Sequence, residues 1–214
     1  LYLDCFAGIS GDMVLAALLD LGVDRNALFA QLKTLNLPGY HLEVEEKQVK
    51  GIRSTDVAVV IDTQPDDHRH LSDILDIIEK SKIAGSAKEL AARIFHVLGK
   101  AEARVHGIEL EKVHFHEVGA IDSIIDIVGA AICIDLLKPA RVVSSPLHVG
   151  YGTVRCAHGV LPVPAPATAE LLNNVPIYSG EVEGELVTPT GAEIITTLAS
   201  EFGGLPRMRI EKIG

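Results

Sequence analysis

The chain has 214 residues, 48% of them hydrophobic, and a formal charge of −10. That is enough apolar material for one substantial core, with no uninterrupted apolar run as long as a membrane span. The acidic balance argues against a nucleic-acid backbone as partner and suits cations, and with 4% aromatic residues and no Trp, stacking platforms for bases are not expected. Cys5, Cys133 and Cys156 are odd in number and widely spaced, which predicts no disulfide framework. The chain opens Leu1-Tyr2-Leu3-Asp4 without a basic leader, so no signal peptide and a cytoplasmic location are expected.

Leu1–Phe6 reads as a short buried strand, Ala7–Gly11 as a turn, and Asp12–Leu21 as an apolar helix closed by Gly22. Asp24 caps a second helix with Leu28, Leu32 and Leu35 on one stripe, ended by Pro38-Gly39. His41–Val49 and Ser54–Ile61 form a hairpin about Lys50-Gly51. After a polar loop over Thr63–His70, Leu71–Lys80 is a helix, and Ser86 with Glu89 forms a capping box for a long helix through Val105. Ile121–Leu137 is an almost wholly apolar helix. Arg141–Ser145 and Leu147–Cys156 are strand-like, with Gly150 and Gly152 marking a turn. Pro162, Pro164 and Pro166 make an extended element that feeds a short helix to Leu172. Glu185–Thr188 is a strand, Thr190 and Glu193 form a capping box for a helix to Ala199, and Met208–Ile213 is a last strand. Helices and strands alternate around one early hairpin. The expected class is therefore α/β, a mixed sheet with flanking helices in a single compact domain.

Val113–Asp122 concentrates the chemistry. His114, His116 and Glu117 stand within four positions, and imidazole with carboxylate is a ligand set for zinc, iron, manganese or nickel. Residues two apart share a face of a strand but not of a helix, so His114 and His116 reach one ion only if this segment is extended. The alternative is a half-buried strand whose histidines bond to backbone carbonyls. Asp122 and Asp126 follow one helical turn apart on one face. Asp122 stands where the helix begins and is a candidate cap. Asp126 lies between Ile125 and Ile127, where a buried carboxylate needs a partner. Two readings stand: a salt bridge to Arg53 or Arg93, or a helix N-terminus that aims both acids at the histidine strand.

The turn Gly8-Ile9-Ser10-Gly11-Asp12 leads into a helix N-terminus, where free amides attract phosphate. It lacks the Lys-Ser/Thr of a P-loop and the second glycine of a nucleophile elbow. Ser10 as a plain helix cap, or Asp4 and Asp12 as holders of a hydrated metal, are the alternatives. His68 and His70 form a second period-two pair in a polar loop, and Cys156 with His158 a third. His148 precedes the Gly150 turn, and His106 falls more loosely among these clusters. Together these pairs predict a metal-handling site.

At these motifs the chain resembles the LarC-type nickel insertases. The resemblance is carried by Asp4-Cys5-Phe6-Ala7-Gly8-Ile9-Ser10-Gly11-Asp12-Met13, by His68-Arg69-His70-Leu71, by Val113–Ile121, by Ala157–Thr168 and by Glu183–Ala192. It implies a role in making the nickel-pincer cofactor of lactate racemase: Ni²⁺ is inserted into pyridinium-3,5-bisthiocarboxylic acid mononucleotide, forming nickel–sulfur and nickel–carbon bonds, with CTP and a divalent cation, Mn²⁺ or Mg²⁺. Members of that family continue into a C-terminal domain, so residues 1–214 are expected to be the N-terminal domain, with CTP binding and homo-oligomer assembly largely in the other half. Apo-lactate racemase is then the downstream recipient.

Borderline imidazole and carboxylate ligands suit a metal that must be selected and then surrendered to sulfur. The expected metal ligands are His114, His116, Glu117, Asp122, Asp126, His68, His70 and His158. Gly8, Ser10, Gly11 and Asp12 would cradle the substrate phosphate. Glu117 and Asp12 are the candidate catalytic groups, Glu117 or a neutral histidine accepting the pyridinium ring proton. Two other classes remain: a metal-dependent phosphohydrolase using Asp4, Asp12, His114 and His116, distinguished by phosphate release, and a non-catalytic nickel store or scaffold.

Overall fold

The structure is a computed structural model that describes residues 1–63, 69–115, 119–156 and 158–214. In chain order the elements are β1 (Tyr2–Leu3), α1 (Gly11–Asp20), α2 (Arg25–Leu32), β2 (Tyr40–Val49), β3 (Ile52–Ile61), β4 (Arg69–His70), α3 (Leu71–Lys80) and α4 (Gly85–His106). Then come β5 (His114–Phe115), α5 (Ile121–Leu137), β6 (Val143–Ser144), β7 (Leu147–His148), β8 (Gly150–Tyr151), β9 (Thr153–Cys156) and β10 (Gly159–Pro162). α6 (Pro166–Leu171), β11 (Ile177–Tyr178), β12 (Gly184–Glu185), α7 (Pro189–Leu198) and β13 (Glu201–Phe202) complete the order.

The class is mixed α/β, as the alternation predicts. The described strands do not merge into one sheet, however. β1, β6 and β13 form a three-stranded parallel sheet with β6 in the middle, and the others pair two by two. Most strands are two residues long, and Gly150 (φ +79°) and Gly152 (φ +94°) break the 147–156 segment into β7, β8 and β9.

The chain divides into two compact units. The first comprises Leu1–Ser10, Arg93–Val113 and Pro139–Met208; the second comprises Gly11–Ala92, His114–Lys138 and Arg209–Gly214.

In the first unit the turn after β1 is clasped by the segment before α7. The Ile9 amide donates to the Leu186 carbonyl (2.9 Å), and the Thr188 amide to the Ile9 carbonyl (3.1 Å). A side chain at Gly8 would overlap the Leu186 carbonyl, and one at Gly191 would overlap the Ile9 carbonyl. Glycine is what lets these two backbones meet. α7 is capped by Thr188, whose hydroxyl takes the Gly191 N–H (3.1 Å), and not by the expected Thr190–Glu193 box. Glu193 points inward instead, because its neighbours Ala192, Ile194 and Ile195 are all core.

In the second unit α5 is the central helix, apolar on almost every side, which fits its burial from Ile121 to Cys133. α1 packs on it closely enough that a Cβ at Gly129 would come within 2.8 Å of Leu15 Cδ2. The predicted hairpin is a ten-residue ribbon in register from Tyr40↔Ile61 to Val49↔Ile52. Its turn, Lys50-Gly51, has φ of +51° and +84°, the pair that a two-residue type I′ turn requires.

Three local expectations are corrected. α4 begins at Gly85, and Ser86 Oγ donates to the Asp135 carboxylate rather than capping with Glu89. α5 is capped at Ala120, and the Asp122 carboxylate takes the Ser123 amide (2.8 Å) from inside the first turn. Met208–Ile213 forms no strand: Met208, Ile210 and Ile213 stay exposed, so its alternation finds no apolar surface to bury against, and the last strand is β13.

Candidate metal-handling site

The two histidine motifs meet. β4 and β5 pair antiparallel, with His70 directly opposite His114 and Arg69 opposite Phe115. The ring centroids of His70 and His114 are 3.6 Å apart at a 44° tilt. Phe115 is buried and His114 exposed, so the strand alternation turns the imidazole outward while Phe115 anchors the backbone. Two further bonds fix this short ribbon. The Arg69 guanidinium donates to the Gly119 carbonyl (2.7 Å), and the His70 amide donates to the Asp73 carboxylate at the start of α3 (2.9 Å). A paired strand register thus presents two imidazoles side by side, a donor type that borderline divalent ions favour. His68, His116 and Glu117, also expected as ligands, lie outside the described residues. Among the described residues no group of three or more His, Cys, Asp or Glu stands ready to hold an ion.

The same unit gathers three acids. Asp126 sits against the first residue of α1: a Cβ at Gly11 would be 2.5 Å from its Oδ2. Its Oδ1 is buried with no hydrogen-bond partner among the described residues. Burial, then the nearby charges of Asp12 and Asp122, push the Asp126 carboxyl up to about 8. Arg53, one of the arginines weighed as its partner, pairs with Asp20 instead (3.1 Å). Asp122 and Asp126 share a helical face as expected. Their third companion is Asp12, which the sequence assigned to a phosphate cradle. An anion at that end of the turn meets three carboxylates unless a cation bridges them.

The other expected residues fall in the first unit. Gly8 (φ +88°) and Ser10 belong there, in the clasped turn, whereas Gly11 and Asp12 belong to the second unit. His158 stands beside His106, ring centroids 5.1 Å apart, and His106 pairs with Glu102 (3.2 Å).

Two residues of the first unit stand differently from the sequence reading, which set His148 beside the histidine pairs and Glu193 in a helix cap. His148 is 7% exposed; its Nδ1 bonds to the Phe6 carbonyl (2.9 Å) and its ring stacks on Tyr178 at 4.8 Å. Glu193 is fully buried. The signal for Glu193 was available: an acid inside the apolar run Ala192–Ile195 is the same anomaly as Asp126 between two isoleucines, but a nearby threonine disguised it as a cap.

This chain matches the nickel insertion protein family over residues 1–214. It belongs to that family. Among curated relatives, it is 53% identical over 213 residues to the pyridinium-3,5-bisthiocarboxylic acid mononucleotide nickel insertion protein of Desulfitobacterium hafniense (strain DSM 10664 / DCB-2), covering 100% of this chain and 53% of that protein. Proteins of the same name from Acetivibrio thermocellus and Geobacillus kaustophilus are 50% and 47% identical, again over 100% of this chain and over 55% and 54% of their own length. This member of the nickel insertion family therefore spans about half the length of those relatives. No solved structure matches it.

Proposed function

We propose that residues 1–214 are the nickel-handling N-terminal domain of a protein that inserts Ni²⁺ into pyridinium-3,5-bisthiocarboxylic acid mononucleotide, yielding the nickel-pincer cofactor of lactate racemase. The observation that carries this reading is the His70–His114 pair, held by strand register at 3.6 Å. Family membership supplies the metal, and the relatives' name supplies the substrate.

In this reading His70 and His114 select Ni²⁺, with His116, Glu117 and His68 as further donors. Imidazole nitrogen holds a borderline ion firmly but loses it to soft sulfur, so transfer to the thiocarboxylates runs downhill. Asp12 and Asp122 supply negative charge that draws the cation in, and Asp126, protonated in the metal-free protein, becomes a further donor as the ion displaces its proton. Glu117 is the proposed base for the ring proton displaced as the nickel–carbon bond forms. Ser10 is the proposed contact for the substrate phosphate, since the Gly8 amide is already donated to the Cys5 carbonyl (3.0 Å). CTP with Mn²⁺ or Mg²⁺ is proposed to act outside these residues, since the chain has no Walker-type motif and carries a charge of −10. Apo-lactate racemase as recipient, homo-oligomer assembly and a cytoplasmic location complete the proposal.

Calorimetry of Ni²⁺ binding tests it. Replacing His70 and His114 together by Ala should remove most binding while metal-free thermal unfolding stays close to wild type. Unchanged nickel affinity in that double variant would sink the assignment, and loss of folding would mark the pair as structural.

A further inference from the structure

We infer that the first unit carries a buried oxygen-donor site for a hard divalent cation, built from the carboxylates of Glu193 and Glu102 and the hydroxyl of Thr197. Glu193 is 0% exposed, and neither carboxylate oxygen has a hydrogen-bond partner among the described residues. An ionised carboxylate in that position is costly unless a counter-charge meets it. Nor can Glu193 swing out to water. The helix that carries it is fixed one turn earlier by the Thr188 cap and by the close approach of Gly191 to the Ile9 carbonyl.

The surroundings point to a cation. The neighbouring carboxylate is Glu102 of α4, which adds to burial in holding the Glu193 carboxyl well above its usual range. Thr197 lies one turn after Glu193 on the same face of α7, and its Oγ1 is also buried without a hydrogen-bond partner. Two carboxylates and a hydroxyl are hard donors, the preference of Mg²⁺, Mn²⁺ and Ca²⁺ rather than of an ion chosen by imidazole. Their combined charge of two matches a divalent ion. Glu102 is the outer member of the group: it is partly buried and pairs with His106, which stands beside exposed His158. This site is independent of the nickel reading and is distinct from the His70–His114 pair.

The test is thermal unfolding of the chelator-stripped chain with and without millimolar Ca²⁺, Mg²⁺ or Mn²⁺. A saturating divalent ion should raise Tm by roughly 5 to 10 °C in wild type. Glu193→Gln should abolish the shift, Thr197→Val should shrink it, and His114→Ala should leave it intact. If Glu193→Gln does not fold, Glu102→Gln decides, and a full wild-type shift in that variant overturns the site. So does the absence of any divalent shift in wild type, an equal shift with Na⁺ or K⁺, or loss of the shift in His114→Ala. A stability that follows pH alone would make Glu193 a buried neutral acid, and the cation site would be withdrawn.

Discussion

Asp126 gives the metal-free protein a pH dependence whose sign is fixed. Burial pushes its carboxyl up to about 8 in the folded chain, against the ordinary aspartate value of 3.8 that stands for the unfolded chain. Between those limits the folded state keeps a proton that the unfolded state has lost, so stability falls as pH rises from about 4 to about 8. The full difference is on the order of 5 kcal/mol. Asp126→Asn should flatten this slope and make the metal-free protein more stable than wild type near pH 8, as read by urea unfolding across that range. An unaltered slope would show that Asp126 is more hydrated than its burial implies. Gly11 belongs to the same argument. Because its Cβ would strike Asp126, Gly11→Ala should cost about 1–3 kcal/mol and disturb the acid cluster. A larger residue at Gly11 is therefore a poor probe of phosphate binding, for it reports on Asp126 first.

At the scale of elements, legibility tracked how local the cause was. α3, α5 and the β2–β3 ribbon are written in short-range signals: helical periodicity, an unbroken apolar face, and a Lys-Gly turn with both φ positive. The pairing of β4 with β5 was not legible, because two-residue strands have no periodicity of their own. The sequence showed two histidine pairs but not that His70 would face His114. At α7 the expected cap failed because two threonines lie close together. Both Thr188 and Thr190 fit a cap pattern, and the choice fell to Thr188 because Glu193 was drawn into the core. Thr188→Ala should accordingly cost about 1 kcal/mol by removing the bond to the Gly191 amide, measured as a shift in the denaturation midpoint. No loss of stability would restore the Thr190–Glu193 box.

For the whole molecule, the proposal that CTP acts elsewhere makes a direct prediction. Residues 1–214 alone should bind nickel yet consume no CTP, and insertion should return when the remainder of a full-length relative is supplied. Activation of apo-lactate racemase by the treated nucleotide reads this out, and CTP-dependent activation by the 214 residues alone would place the nucleotide site within them. The parallel sheet β1-β6-β13 has a different consequence, in time rather than in chemistry. Its central strand and its far edge lie at Val143–Ser144 and Glu201–Phe202, while its first strand, Tyr2–Leu3, is made long before either. At cellular rates of elongation, Tyr2–Leu3 waits roughly 10 to 40 seconds for Glu201–Phe202, which completes its sheet. Ile9 likewise waits for Val187, its bridge partner. Contacts this distant along the chain make for slow folding. The second unit, whose segments are nearly all made by Lys138, can close first. The newly made stretch from Tyr2 to Ile9 is thus left without its sheet and bridge partners for that interval, and is a natural client for a chaperone.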